Sequence, residues 1–108
     1  MKTNYKFGEV CQLRQQVEAE QEKVGFKNIF ETENGGVSLV AFKAGQKLDE
    51  HLAPAEVMVT VLEGEVEFTM LDNTKTLMAG EFMLMGANVP HSVYATADSM
   101  LMLVKLKN

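Results

Sequence analysis

The 108-residue chain has one cysteine, two prolines, no tryptophan and fewer basic than acidic side chains. Each shortage excludes something. The lone Cys11 has no intrachain disulfide partner, which suits a reducing cytoplasm. Ten Lys and Arg against fifteen Asp and Glu leave a formal charge of −5, and phosphate binding needs a basic surface, so nucleic acid is not an expected partner. The lysines are scattered, which argues equally against an anionic membrane surface. No apolar run approaches the ~18 residues of a spanning helix. Residues Met1 to Val10 are polar and lack an apolar h-region, so no secretory signal is expected. Linkers rich in Pro and Ser, short repeats and low-complexity tracts are also missing. What remains is one globular domain, long enough to bury roughly two-thirds of its unfolded surface.

The chain is rich in short β-like runs closed by turn residues. Val24–Phe30 and Val37–Phe42 flank Asn34-Gly35, a tight-hairpin signal. Val57–Leu62 is apolar and β-branched, the pattern of a strand buried on both faces. Val66–Leu71 alternates, Asp72-Asn73-Thr74 reads as a turn, and Lys75–Met78, Phe82–Met85 and His91–Tyr94 follow. In Met100–Leu106 the even positions form one face, and Lys105 and Lys107 the other. About eight strands predict a sandwich or barrel, with a two-sheet jelly roll the commonest solution at this length. The first residues differ. Val10, Leu13 and Val17 lie at helical spacing and predict one short helix, with an edge strand as the alternative.

Only two histidines exist, His51 and His91, each following a glycine and each adjoining a proline and an apolar strand. Two such units suggest opposed hairpins facing one cavity. The stretch from Gly45 through His51, Ala53, Glu56 and Val57 to Leu62-Glu63-Gly64 resembles the first cupin motif. The stretch from Gly80 through Gly86 to Asn88-Val89-Pro90-His91 resembles the second. The resemblance spans about residues 35 to 106. It implies an all-β, antiparallel jelly-roll barrel of cupin type over 35–108, preceded by residues 1–34 as a short helix or exchanged arm with the first strands. It also implies a homodimer, of which the polar N-terminal segment would be the exchanged part.

Metal-binding cupins supply His, His and Glu from the first motif and His from the second. Here the second His position holds Ala53, and the Glu position, counted back from Gly64, falls on Val57. The remaining ligands for a divalent transition metal (Zn, Ni, Fe or Mn) would be His51 and His91, joined by Glu56 if a bulge turns it inward. That set would form a facial triad with open positions. Strand parity sends Glu56 away from the cavity otherwise. Parity with Val57 makes Val57, Val59 and Val61, together with Ala53, the apolar walls around the histidines.

Three functions fit this pattern. One is a binding module that holds a small molecule in an apolar cavity through His51 and His91. The second is a metal-dependent, dioxygenase-like enzyme using both histidines. The third is a metal-free isomerase or epimerase with a histidine as acid or base. Methionine is abundant. Thioethers can ligate Cu(I), but alternation within the strands assigns these side chains to core packing. Asp49 and Glu50 read as an ordinary polar turn ahead of His51.

Overall fold

A computed structural model describes residues 1–107. Nine strands form: β1 Gly25–Thr32, β2 Gly35–Phe42, β3 Lys47–His51, β4 Glu56–Glu63, β5 Glu65–Met70, β6 Asn73–Met78, β7 Phe82–Met85, β8 His91–Ala95 and β9 Ser99–Leu106. They make two sheets, β1-β2-β9-β4-β7 and β3-β8-β5-β6, with antiparallel pairing throughout. This is the expected jelly roll. The strand that the pattern does not reveal is β3, whose only large apolar side chain before His51 is Leu48. Pairing with β8, not its own alternation, makes it a strand.

The core lies between the sheets. Val57, Val59 and Val61 of β4 face Val66 and Phe68 of β5 and Val93 and Ala95 of β8, with Val40, Phe42 and Leu101 beside them. Alternation from Val57 to Leu62 of β4 is strict: Val57, Val59 and Val61 are buried and Met58, Thr60 and Leu62 are half-buried. Inward valines here are stiff, β-branched side chains that suit a pleated, fully covered surface. A second cluster forms on the outer face of the five-stranded sheet. Leu39, Ala41 and Met100 are covered there by Val17 of the N-terminal arm, with Ala19, Leu62 and Met102 packed around them.

The predicted N-terminal helix does not form. A single 3-10 turn, Leu13–Gln15, is all that appears, without a side-chain cap or an acidic residue in its first turn. Val10 is 97% exposed and only Val17 of the expected apolar stripe is buried, so no packed face offsets the cost of nucleating a short helix. The arm runs extended instead. Lys2 and Glu31 exchange backbone hydrogen bonds, Tyr5 donates to Gln16, Arg14 is ion-paired with Glu63, and Gln46 donates to the Glu20 carbonyl. No helix among the described residues is long and apolar enough to cross a membrane.

Turn chemistry is displaced slightly from its sequence signals. Thr32 pairs with Gly35, so the first hairpin turns through Glu33-Asn34. Met70 pairs with Asn73, and the turn between them is Leu71-Asp72, both at positive φ (48° and 65°). That geometry matches the strand twist as a type I′ turn does.

Gly64 is the joint between the sheets. Its φ is +88°, and a Cβ there would meet the Asp98 carbonyl oxygen at 2.3 Å and the Ser99 hydroxyl at 2.2 Å. Ser99 is buried, receives the Glu65 N–H at 3.0 Å and donates to the Ala97 carbonyl at 2.7 Å, so neither neighbour moves freely. Gly45 also has positive φ (+90°) but open space around its Cβ position. Gly64→Ala is therefore expected to cost about 2–3 kcal/mol of stability in urea unfolding, and Gly45→Ala only the ~1 kcal/mol of the left-handed backbone. Equal costs at the two sites would refute this account of the joint.

Candidate functional site

The site begins with a register shift. In β3, Leu48 pairs with Val93 and His51 with His91, so two residues on β3, Asp49 and Glu50, oppose the single Ser92 on β8. This is a β-bulge. Leu48 and His51 are three apart, and a regular strand would place them on opposite faces. The bulge absorbs one residue, and both side chains line the same cavity. His51 and His91 thereby become cross-strand neighbours, with ring centroids 4.2 Å apart and ring planes tilted by 60°.

Each imidazole is pinned by a backbone carbonyl. His51 Nδ1 lies 2.9 Å from the Asp49 oxygen and His91 Nδ1 lies 3.0 Å from the Val89 oxygen. A carbonyl oxygen can only accept, so each Nδ1 carries the proton and donates it. In the neutral rings the Nε2 atoms are then lone-pair acceptors. Asp49 thus orients His51 through its main chain and not through its carboxylate. His91 is only 6% exposed and stacks on Phe68 with a centroid separation of 6.1 Å, whereas His51 is exposed at the mouth. Burial of His91 pushes its pKa below the ordinary 6.5; the hydrogen bond to Val89 opposes this, and the charge of a protonated His51 adds to it.

The cavity has a volume of about 490 Å³, within the range of small-molecule sites. Of the expected wall residues, Ala53, Val57 and Val59 line it with the two histidines. Val61 does not. It is fully buried in the core beyond, where its N–H and C=O bond Glu81 and Gly80. Glu56 does not line it either. The pairing of β4 with β7 and β9 runs without a shift from Glu56 to Val61, so no bulge turns Glu56 inward, and its side chain is exposed on the outer face opposite Leu106.

Sequence reasoning missed several lining residues. Leu101, Leu103 and Lys105 of β9 face the cavity, with Ser38 and Val40 of β2, Asn28 of β1 and Met85 of β7. The alternation of β9 was visible, but not which side was inward. Its even positions, Met100 and Met102, are apolar because the arm covers them from outside.

A divalent metal needs three or four protein donors. The site offers two imidazoles of suitable tautomer beside the apolar Ala53 and Val57. Among the described residues no group of three or more His, Cys, Asp or Glu side chains comes together to hold an ion. The donors present do not complete a metal site.

A family model described as the cupin domain matches residues 38–106. The whole chain superimposes on a conserved protein of unknown function from Streptococcus pyogenes, with 28% identity and a TM-score of 0.88, covering 100% of this chain and 96% of that one. A cupin superfamily protein from Desulfitobacterium hafniense shares the fold at 18% identity and a TM-score of 0.88, covering 98% and 97% of the two chains. A cupin 2 conserved barrel domain protein from Leptotrichia buccalis is 31% identical over 88% of this chain but only 46% of its own length, with a TM-score of 0.83. A search of curated proteins finds no match.

The lowered pKa of His91 makes stability depend on pH. Below about 6.5 the unfolded chain binds a proton that the folded one still refuses. Stability from this group is full above that pH and is lost as the pH falls toward the folded value. Urea unfolding between pH 5 and 8 is expected to show this decline, and His91→Gln to flatten it. An unchanged slope in the variant would remove His91 as its source.

Proposed function

This chain belongs to the cupin family, and from that premise we propose that it binds a small, largely apolar molecule in the cavity between its sheets. The fold hosts many chemistries, so the reading rests on the site alone. One observation carries it: two adjacent imidazoles, each with Nδ1 committed to a carbonyl, border a mostly apolar cavity of about 490 Å³. Two neutral acceptors on an apolar wall ask for a ligand that donates hydrogen bonds and fills the hydrophobic space. His91 anchors the buried end and His51 closes the mouth. Cupins often hold a metal, but this chain's own side chains provide the recognition proposed here.

A second reading adds turnover. His91 is neutral near pH 7, and its lone-pair nitrogen is placed to accept a proton from a bound hydroxyl or an acidic carbon. That would make the protein a metal-free isomerase or epimerase, active in EDTA and inactivated by His91→Gln.

A fragment screen by protein NMR tests the binding reading. Hydroxylated apolar fragments are expected to shift the methyl resonances of Val59 and Met85. Ala53→Trp, at the half-buried edge of the cavity, is expected to weaken them at least tenfold while the spectrum stays folded. Fragments that leave Val59 and Met85 unmoved would end this reading. Elemental analysis near one metal per chain after chelator-free purification would replace it with the metal-dependent one.

We further propose a homodimer in the cytoplasm. The lone Cys11 is exposed, as suits a reducing compartment. The arm covers only part of the outer face of the five-stranded sheet. Phe82 (59% exposed) and Leu84 (70%) remain open there, paired in register with Thr60 and Met58. The Thr60 hydroxyl is buried without a hydrogen-bond partner among the described residues. Across a twofold axis the exposed Phe82 and Leu84 of two copies would cover one another. Sedimentation is expected to give a dimer that Leu84→Glu converts to a monomer; a wild-type monomer at tens of micromolar would contradict the proposal.

A further inference from the structure

The cavity has a feature that its histidines do not explain: a lysine at its rim, Lys105, with no ion pair to an acidic side chain among the described residues. Along β9 the inward positions run Leu101, Leu103, Lys105, from the apolar interior toward the opening. Lys105 pairs in register with Val57 on one side and Gly36 on the other. It therefore stands directly beside the position where metal-binding relatives carry a carboxylate ligand, and that position is apolar here.

Arg14 pairs with Glu63, and Lys47 with Asp49 at 3.6 Å. Neither involves Lys105. Asp49 is the one acid lining the cavity, and Lys47 approaches it at 3.6 Å with both side chains exposed. Glu31 and Lys107 both line the adjoining groove that Lys105 also borders. Asn28 and Ser38, cross-strand neighbours on β1 and β2, add neutral polar groups near the same edge. The molecule carries a net charge of −5, which repels anions overall, so a cation at this opening selects locally.

Resting on the binding reading above, we propose that the ligand is a small apolar carboxylate bearing a hydroxyl group. Its carboxylate meets the Lys105 ammonium at the rim, its hydrocarbon body lies against Val57, Val59 and Leu103, and its hydroxyl donates to an imidazole Nε2. A charge-assisted hydrogen bond beside apolar walls is stronger than the same contact in water. A single ammonium suits a monoanion. The chain's one arginine, Arg14, whose fork would grip a phosphate bidentately, is ion-paired with Glu63 and does not line the cavity.

The probes are 3-hydroxyoctanoate, its methyl ester, octanoate and inorganic phosphate, titrated into the full chain and followed by methyl NMR. The acid is expected to shift Val59 and Met85 and to bind at least fivefold tighter than the ester. Octanoate, lacking the hydroxyl, is expected to bind more weakly than 3-hydroxyoctanoate. Lys105→Met should abolish the preference for acid over ester, and Lys105→Arg should keep it. If the ester binds as tightly as the acid, or Lys105→Met retains the preference, the carboxylate assignment fails while cavity binding stands. Competition by inorganic phosphate at lower concentration than the acid would also overturn it. If no probe moves Val59 or Met85, both this inference and the binding reading fall.

Discussion

One extra residue in β3 governs the chemistry of this protein. Without the bulge at Asp49-Glu50, Leu48 would still cover Val93, but His51 would point outward and His91 would stand alone on the wall. With it, the two rings lie 4.2 Å apart, and the Asp49 carbonyl is within reach of His51 Nδ1. Irregular pairing thus delivers both the side chain and the acceptor that orients it. Bulges next to functional sites commonly re-aim a side chain in this way.

The consequence is electrostatic. Two Nδ1–H groups are committed to carbonyls, so the imidazoles present acceptors and no donors to whatever enters while both are neutral. Burial of His91 against Phe68 favours that neutral form. The same tautomer would suit a metal, but the neighbouring positions on the wall are Ala53 and Val57, which donate nothing. Lys105, beside Val57, supplies the positive charge on this side of the opening. The buried His91 and the exposed Lys105 at the rim give the cavity an acceptor inside and a cation at its edge.

Core and cavity share one set of strands. β4 contributes Val57 and Val59 to the wall and Val61 to the packed interior behind it, so the floor of the cavity is the top of the core. The arm contributes from outside, covering Leu39, Ala41 and Met100 on the opposite face of the same sheet. It takes an extended path because only isolated side chains such as Val17 have somewhere to pack. A helix would need a continuous apolar stripe against the sheet, and Val10 and Leu13 find no such contact.

Local physics written in the residues was enough for the architecture. Alternation and β-branching marked the strands of the core, Asn34-Gly35 marked the first hairpin, and the two units of glycine, apolar strand and histidine pointed to opposed hairpins. These features were legible because each depends on neighbours within a few positions. The inward faces of β4 followed from parity with Val57, yet parity alone could not say that Val61 lies beneath the cavity and not beside it. Nor could it choose the inward side of β9, where a covering arm makes the outer residues as apolar as the inner ones. The register of β3 against β8 was decided by tertiary structure, since a bulge is a property of two strands together and leaves no signature in either. So the sequence determined the barrel and its two histidines, while only the folded pairing decided that they meet, and that Lys105 shares their cavity.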